Sequence, residues 1–360
     1  MKYIKGFDTL RALAVFFVIV EHWGPYFKEH TVPDYLKTAL IENGQFGVNL
    51  FFVLSGFLIT SILLNEKIKD TGGQQFTIIK NFFARRILRI FPIYYLVILL
   101  CCLLGYQFVI DHIWYFLTYT SNILPYTTNE PNVLSHTWSL AVEEQFYLIW
   151  PWLIILINKK YLKHVLALSI VIGIVSKYIA LYVLHHRFPV LVINCFDSFG
   201  IGGMYAYIRL DKEKCVRFEK AFRVVLPFLL FLAWRMSSFG GVPVVVMYAR
   251  TLDSIIAVAL IMFVINNEWE WMRKYVLENR MFNFIGKISY GIYLYHYTFG
   301  PSFDNFVADY AAKHPSLAPI LSNFYAEYCL KVTLLIGLCW LSFKLIEQPI
   351  LRLKKKFEYT

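Results

Sequence analysis

Arg11-ALAVFFVIVE-His22 is a stretch of nearly pure hydrocarbon between two ionisable ends, and only Glu21, beside the histidine, interrupts it. Such a run reads as a helix within a bilayer, where ionisable groups are costly unless they face protein or a water-lined interior. At about 100° per residue, eleven steps from Arg11 to His22 close on about three turns. Both side chains therefore share one face, roughly 16 Å apart along the axis. One end of that face carries a cation and the other a group able to act as a base near neutral pH. Two readings stand side by side: a functional histidine facing the protein interior, and an interfacial histidine at a helix end.

The rest of the chain repeats this apolar character. Of the 360 residues, 58% are hydrophobic, and the mean hydropathy is +0.53. This excludes a soluble globular domain and indicates an all-α, polytopic membrane protein. Apolar segments fall at 8–24, 45–64, 90–108, 137–157, 164–184, 190–208, 224–238, 246–266, 284–300 and 328–346. These predict about ten transmembrane helices. The first has no small-residue cleavage site after it, so it is expected to be retained. The piece from His112 to Pro125 carries Thr118, Thr120, Ser121 and Asn122 and reads as re-entrant or interfacial.

With the N-terminus inside, most of the 35 lysines and arginines fall in inner loops or at inner helix ends. That asymmetry predicts cytoplasmic N- and C-termini and accounts for the net charge of +11 without nucleic acid. A single membrane domain over 1–360, with no separate extracytoplasmic domain, is expected. The longest outer loop, 301–327, is too short to fold alone. The six cysteines form no C-x-x-C pair and read as packing residues, and no metal site is expected.

Three constellations could carry chemistry. In HTWSLAVEEQFYLIWP (His136 to Pro151), Ser139, Glu143 and Tyr147 recur every four residues and form one polar stripe on an apolar helix. A carboxylate there, near a buried His22, would hold the histidine's tautomer. A polar helix–helix contact is the plainer reading, and Glu144, about 100° away, reads as a packing or loop contact. Second, Arg85, Arg86 and Arg89 lie just before Pro92. Arg86 and Arg89 are helical neighbours whose guanidinium forks suit phosphate, or which anchor the inner face against anionic membrane lipid. Third, GKISYGIYLYH (Gly286 to His296) stacks Ser289, Tyr293 and His296 within two turns. His296 reads as structural or interfacial. In GVNLFFVLSGFLIT (Gly47 to Thr60), Ser55-Gly56 reads as a close helix approach. No nucleotide-binding glycine loop, H-E-x-x-H or G-x-S-x-G is present.

Taken in order, Arg11-x10-His22, the R-x-x-R of Arg86 and Arg89, and the S-x3-E-x3-Y of Ser139, Glu143 and Tyr147 resemble the membrane-bound acyltransferase-3 family of bacterial O-acyltransferases. The resemblance covers nearly the whole chain. It implies ten spans with both termini cytoplasmic, location in the bacterial inner membrane, and transfer of an acyl group, acetyl above all, from cytoplasmic acetyl-CoA to a carbohydrate or glycolipid acceptor. His22 would be the catalytic residue, supported by Glu143. Arg11, Arg86 and Arg89 would engage the acyl-CoA, and Ser139 and Tyr147 would line the site. Other envelope-glycan enzymes would be partners. The chain departs from the family at Asn49, where many relatives carry Asp, and at Glu347-Gln348-Pro349, where many carry E-R-P. A polysaccharide or lipid exporter, or an acyl translocator without its own transferase activity, are the rival expectations.

Overall fold

The computed structural model describes residues 4, 6–23, 44–128, 130, 132–186, 189–237, 243–266, 269–317 and 323–357. Long helices dominate. They are α1 (Gly6–Trp23), α2 (Gly44–Lys69), α3 (Gln75–Leu103), α4 (Trp138–Leu156), α5 (Lys159–Tyr182), α6 (Phe196–Ile208), α7 (Lys212–Ser237), α8 (Pro243–Asn266), α9 (Arg280–Lys313) and α10 (Phe324–Ser342). Each expected apolar segment falls on one of them. By length and composition, five stretches could cross a membrane unaided: Gly44–Lys69, Gln75–Leu103, Lys159–Tyr182, Tyr248–Asn266 and Tyr325–Phe357. Charge or shortness separates others from that class. α1 carries Asp8, Arg11, Glu21 and His22, and α6 has only 13 residues.

Leu99, Leu103 and Leu104 near the end of α3, Leu168 and Val171 on α5, Val224 and Phe228 on α7, and Leu341 on α10 are all exposed. Apolar side chains in such numbers at the surface, around a bundle with buried Asp, Lys, Arg and His, are the pattern of a polytopic membrane protein.

Small residues set the closest helix crossings. A Cβ at Gly56 would lie 2.1 Å from the Phe199 carbonyl oxygen, and one at Gly202 would lie 2.1 Å from that of Val53. α2 and α6 therefore touch backbone to backbone, as the reading of Ser55-Gly56 anticipated. Gly286 gives α9 the same intimacy with α1, where a Cβ would sit 1.9 Å from the Asp8 carbonyl oxygen.

The His112–Pro125 segment is broken into the short turns Ile113–Leu117, Ser121–Ile123 and Leu124–Thr127 rather than one crossing helix. Its backbone groups are satisfied by neighbours, as buried irregular chain requires. Tyr94 Oη donates to the Phe116 carbonyl (2.9 Å), Tyr95 Oη to that of Leu117 (3.0 Å), and Gln145 Nε2 to that of Tyr119 (2.8 Å).

Two boundaries differ from expectation. α3 begins at Gln75, so the arginine stretch is one continuous helix with the span that follows. The segment 301–327 is not all loop, because α9 continues through Pro301 to Lys313. Beyond the proline, Phe303 and Val307 bury one face, and Lys331 Nζ ties Asp304 to α10 at 2.6 Å. That packing offsets the single backbone hydrogen bond a proline removes. The outer segment 25–44 expected between α1 and α2 lies outside the described residues, except for Gly44.

Candidate active site

The first turns of α1, the arginine stretch of α3 and the early part of α9, with the chain beyond α10, line a cavity of about 470 Å³. Arg11, Arg85, Arg86, Arg89, Lys287 and Lys354 line it, with Asp8 and Glu347 as the acidic members. Arg11 Nη1 is held by Asp8 Oδ1 at 2.6 Å, one turn away on α1. The Arg86 guanidinium lies over the Tyr147 ring, 4.9 Å from its centroid, and over Phe82 at 5.5 Å. Two aromatic rings thus hold the guanidinium carbon in place by cation–π attraction.

Arg11, Arg86, Arg89 and Tyr290 also line a second, smaller cavity of about 90 Å³, so the two adjoin. The smaller one is also lined by Ser55, Ser139, Glu143, Glu144, Tyr147 and Tyr293. Here the polar stripe of α4 becomes a ladder, one rung per helical turn of about 5.4 Å. Ser55 Oγ donates to Glu143 Oε1 (2.6 Å) and lies 3.0 Å from Tyr147 Oη. One turn toward the start of α4, Ser139 Oγ lies 2.5 Å from Tyr293 Oη. Tyr293 Oη also lies 3.1 Å from the His136 carbonyl oxygen, to which it donates.

Past Tyr293 stand three imidazoles. His22 Nδ1 lies 3.1 Å from His296 Nε2. His296 Nδ1 lies 2.6 Å from the Tyr293 carbonyl oxygen, and His136 Nε2 lies 3.2 Å from that of Leu294. The His136 and His296 ring centroids are 4.9 Å apart. His136 and His296 are buried, whereas His22, in the last turn of α1, is exposed. Tyr297 stacks on His136 and sets its edge against His22, each at 5.2 Å between centroids. The same tyrosine walls an open cavity of about 290 Å³ with Tyr106, Gln107, Phe108 and Asn132.

Arg11, Arg86 and Arg89 line both cavities, and Ser139, Glu143 and Tyr147 line the smaller one. His22 lines neither and stands against His296, one turn along α9 from the Tyr293 that does. One pairing differs from expectation: the hydrogen bond of Glu143 goes to Ser55, and His22 meets His296 instead. Glu143 is one turn farther along α4 than Ser139, which itself reaches Tyr293 and the His136 carbonyl oxygen. Glu144, read as a packing contact, lines the smaller cavity. Ser55 is a hydrogen-bonding group as well as a small one. Sequence reasoning did not assign Lys287, Lys354 or Tyr290, whose contributions depend on helices distant in the chain. His296 had a signal, since it ends a polar stack inside an apolar run.

A protein-family model described as an acyltransferase domain matches residues 4–344. Peptidoglycan O-acetyltransferase OatA of Listeria monocytogenes is 28% identical over 329 residues, covering 82% of this chain and 49% of that protein. A Staphylococcus aureus protein provisionally named an O-acetyltransferase is 25% identical over 409 residues, covering 97% of this chain and 57% of that one. A Bacillus subtilis protein, YrhL, provisionally named a peptidoglycan O-acetyltransferase, is 34% identical over 167 residues, covering 42% and 23%. The chain spans about half the length of the first two relatives. No solved structure matches it at a significant level. With nearly its whole length matched by that family model, the chain belongs to the acyltransferase-3 family.

Proposed function

We propose that this protein is a bacterial inner-membrane O-acyltransferase that takes an acetyl group from cytoplasmic acetyl-CoA and places it on a hydroxyl of a cell-envelope glycan. In this reading the ten helices each cross the membrane, both termini are cytoplasmic, and residues 1–360 act as a single membrane domain. One observation carries the proposal: a cavity lined by six basic side chains adjoins a smaller one lined by the Ser–Glu–Tyr ladder and Tyr293, whose helix α9 also carries the partner of His22. Nucleotide phosphates fit the basic end, because guanidinium and ammonium donors there outnumber the carboxylates. The slender pantetheine arm fits the smaller cavity. The thioester then meets His22 far from the nucleotide, which is how an acyl group from the cytoplasm reaches an acceptor on the other side.

His22 acts either as general base on the acceptor hydroxyl or as the nucleophile that first takes the acyl group. Glu143, Ser55 and Tyr147 position the arm, and Ser139 with Tyr293 orders the wall nearest the histidines. The acceptor approaches through the open cavity behind Tyr297. Its aromatic rings can stack on a sugar face, and Gln107 and Asn132 offer amides to hydroxyls. The relatives named for peptidoglycan make that polymer the first acceptor to test.

The decisive experiment is mass spectrometry of ester-linked acyl groups on surface glycans. A gene deletion would be compared with the same strain rescued by wild type or by His22→Ala. Loss of an acetyl ester that only wild type restores supports the proposal. Full rescue by His22→Ala, or loss of the glycan itself from the surface, assigns the protein to export instead.

A further inference from the structure

The hydrogen bonds around His296 determine which nitrogen of His22 carries its proton. The Tyr293 carbonyl oxygen, 2.6 Å from His296 Nδ1, can only accept, so His296 Nδ1 is the protonated nitrogen. His296 is fully buried, and a second proton on it would place an uncompensated cation among apolar helices. Its Nε2 is therefore a lone pair, and that lone pair faces His22 Nδ1 at 3.1 Å. Two lone pairs at this distance would repel, so His22 Nδ1 must carry the hydrogen and donate it.

We propose that His296 is a positioning residue that locks His22 in the tautomer with Nδ1 protonated and Nε2 unprotonated, making Nε2 the reactive nitrogen. The inference rests on His22 being the catalytic residue, and it adds a role for His296 that the sequence reading gave only a structural or interfacial one. The same tautomer serves both chemical routes. As a base, Nε2 takes the proton of the acceptor hydroxyl while that oxygen forms its bond to the acyl carbon. The carbon–sulfur bond then breaks, and the departing thiolate takes the proton from Nε2. As a nucleophile, Nε2 bonds to the acyl carbon and expels the CoA thiolate. The acceptor oxygen next displaces Nε2, and the hydroxyl proton goes to the thiolate. In either route the hydrogen on Nδ1 stays in place, and the bond to His296 stabilises the positive charge that His22 acquires.

The adjacent His136 obeys the same logic. Its Nε2 donates to the Leu294 carbonyl, and its buried Nδ1 has no hydrogen-bond partner. Consecutive carbonyls of α9 thus fix two neutral imidazoles beside the catalytic one.

The test uses full-length protein in lipid nanodiscs with ¹⁵N-labelled histidine, His22 signals being assigned by difference against His22→Gln. The wild type is expected to show a protonated Nδ1 and an unprotonated Nε2 for His22. In His296→Phe that preference should be lost, and acetyl transfer should fall about 100-fold in kcat with the KM for acetyl-CoA unchanged. His296→Gln, which returns an acceptor oxygen near the position of Nε2, should recover part of both. The proposal is overturned if wild-type His22 carries its proton on Nε2, or if His296→Phe leaves the tautomer unchanged. The spectra need no turnover, so a protein with the expected tautomer but no transferase activity would refute the enzymatic reading and leave the geometry standing.

Discussion

Arg86 shows how one side chain can serve two masters in a membrane protein. A guanidinium just inside a bilayer could be a topology anchor, but this one sits over Tyr147 and lines both cavities. Binding of the nucleotide phosphates should therefore depend on it. Arg86→Ala is expected to raise the KM for acetyl-CoA about tenfold, the loss of one charge-assisted hydrogen bond. Arg86→Lys should recover less than half of that, since an ammonium cannot reproduce a planar fork. Steady-state kinetics in membranes would check both. A variant with wild-type KM but altered membrane orientation would return Arg86 to the anchor role. Glu143 poses a different question, because Ser55, which donates to it, also meets Tyr147. Glu143→Ala should lower turnover and also reduce stability by about 0.5–1.5 kcal/mol, the loss of one hydrogen bond, since Ser55 and Tyr147 keep each other as partners. Thermal unfolding measured beside activity separates the two effects.

Helix pairs carry the arrangement that single residues exploit. Gly286 lets α9 lie against the α1 backbone at Asp8, and Asp8 is the partner that holds Arg11. Gly286→Val should push the two helices apart, costing about 1–3 kcal/mol or more, and should weaken acetyl-CoA binding through Arg11 even in protein that folds. Size-exclusion profiles of detergent extracts and acetyl-CoA titration would report each loss. A buried ion pair makes a second case at this scale. Lys177 Nζ on α5 meets Asp197 Oδ2 on α6 at 2.5 Å, and Thr251 on α8 donates to the same oxygen at 2.6 Å. Lys177→Met should destabilise the bundle by about 3–5 kcal/mol because it leaves a buried carboxylate unpaired, whereas Lys177→Met with Asp197→Leu should recover most of that. Melting temperatures that ranked the double variant below the single one would contradict this account.

The helices themselves were legible because hydropathy and the punctuation of charge act locally, and so was the Arg11–His22 face, because α1 is regular. The α4 stripe was legible as a stripe, but its partners were not. Whether Glu143 meets His22 or Ser55 depends on how α1, α2 and α4 are offset along their axes, which no local pattern encodes. The same holds for Lys287 and Lys354, which are ordinary inner-end lysines until α9 and the chain beyond α10 bring them to one cavity.

The molecule as a whole separates its chemistry by depth. Arg11, Arg86, Arg89, Lys287 and Lys354 gather at one end of the bundle. His22, His136 and His296 gather toward the other, as do Lys177, Asp197 and Arg250. For acyl transfer from a cytoplasmic donor, the basic end must face the cytoplasm, which the distribution of loop charge also favours. This can be tested without any assay of activity. In a background with all six native cysteines replaced, Glu213→Cys at the start of α7 should be shielded from an impermeant maleimide in intact cells and labelled after permeabilisation. His314→Cys, in the turn after α9, should be labelled in intact cells. Both side chains sit in exposed positions, so a failure to label would reflect the membrane and not burial. The opposite pattern would put the arginines outside, where there is no acetyl-CoA, and no histidine chemistry at the far end could then rescue the proposed direction of transfer.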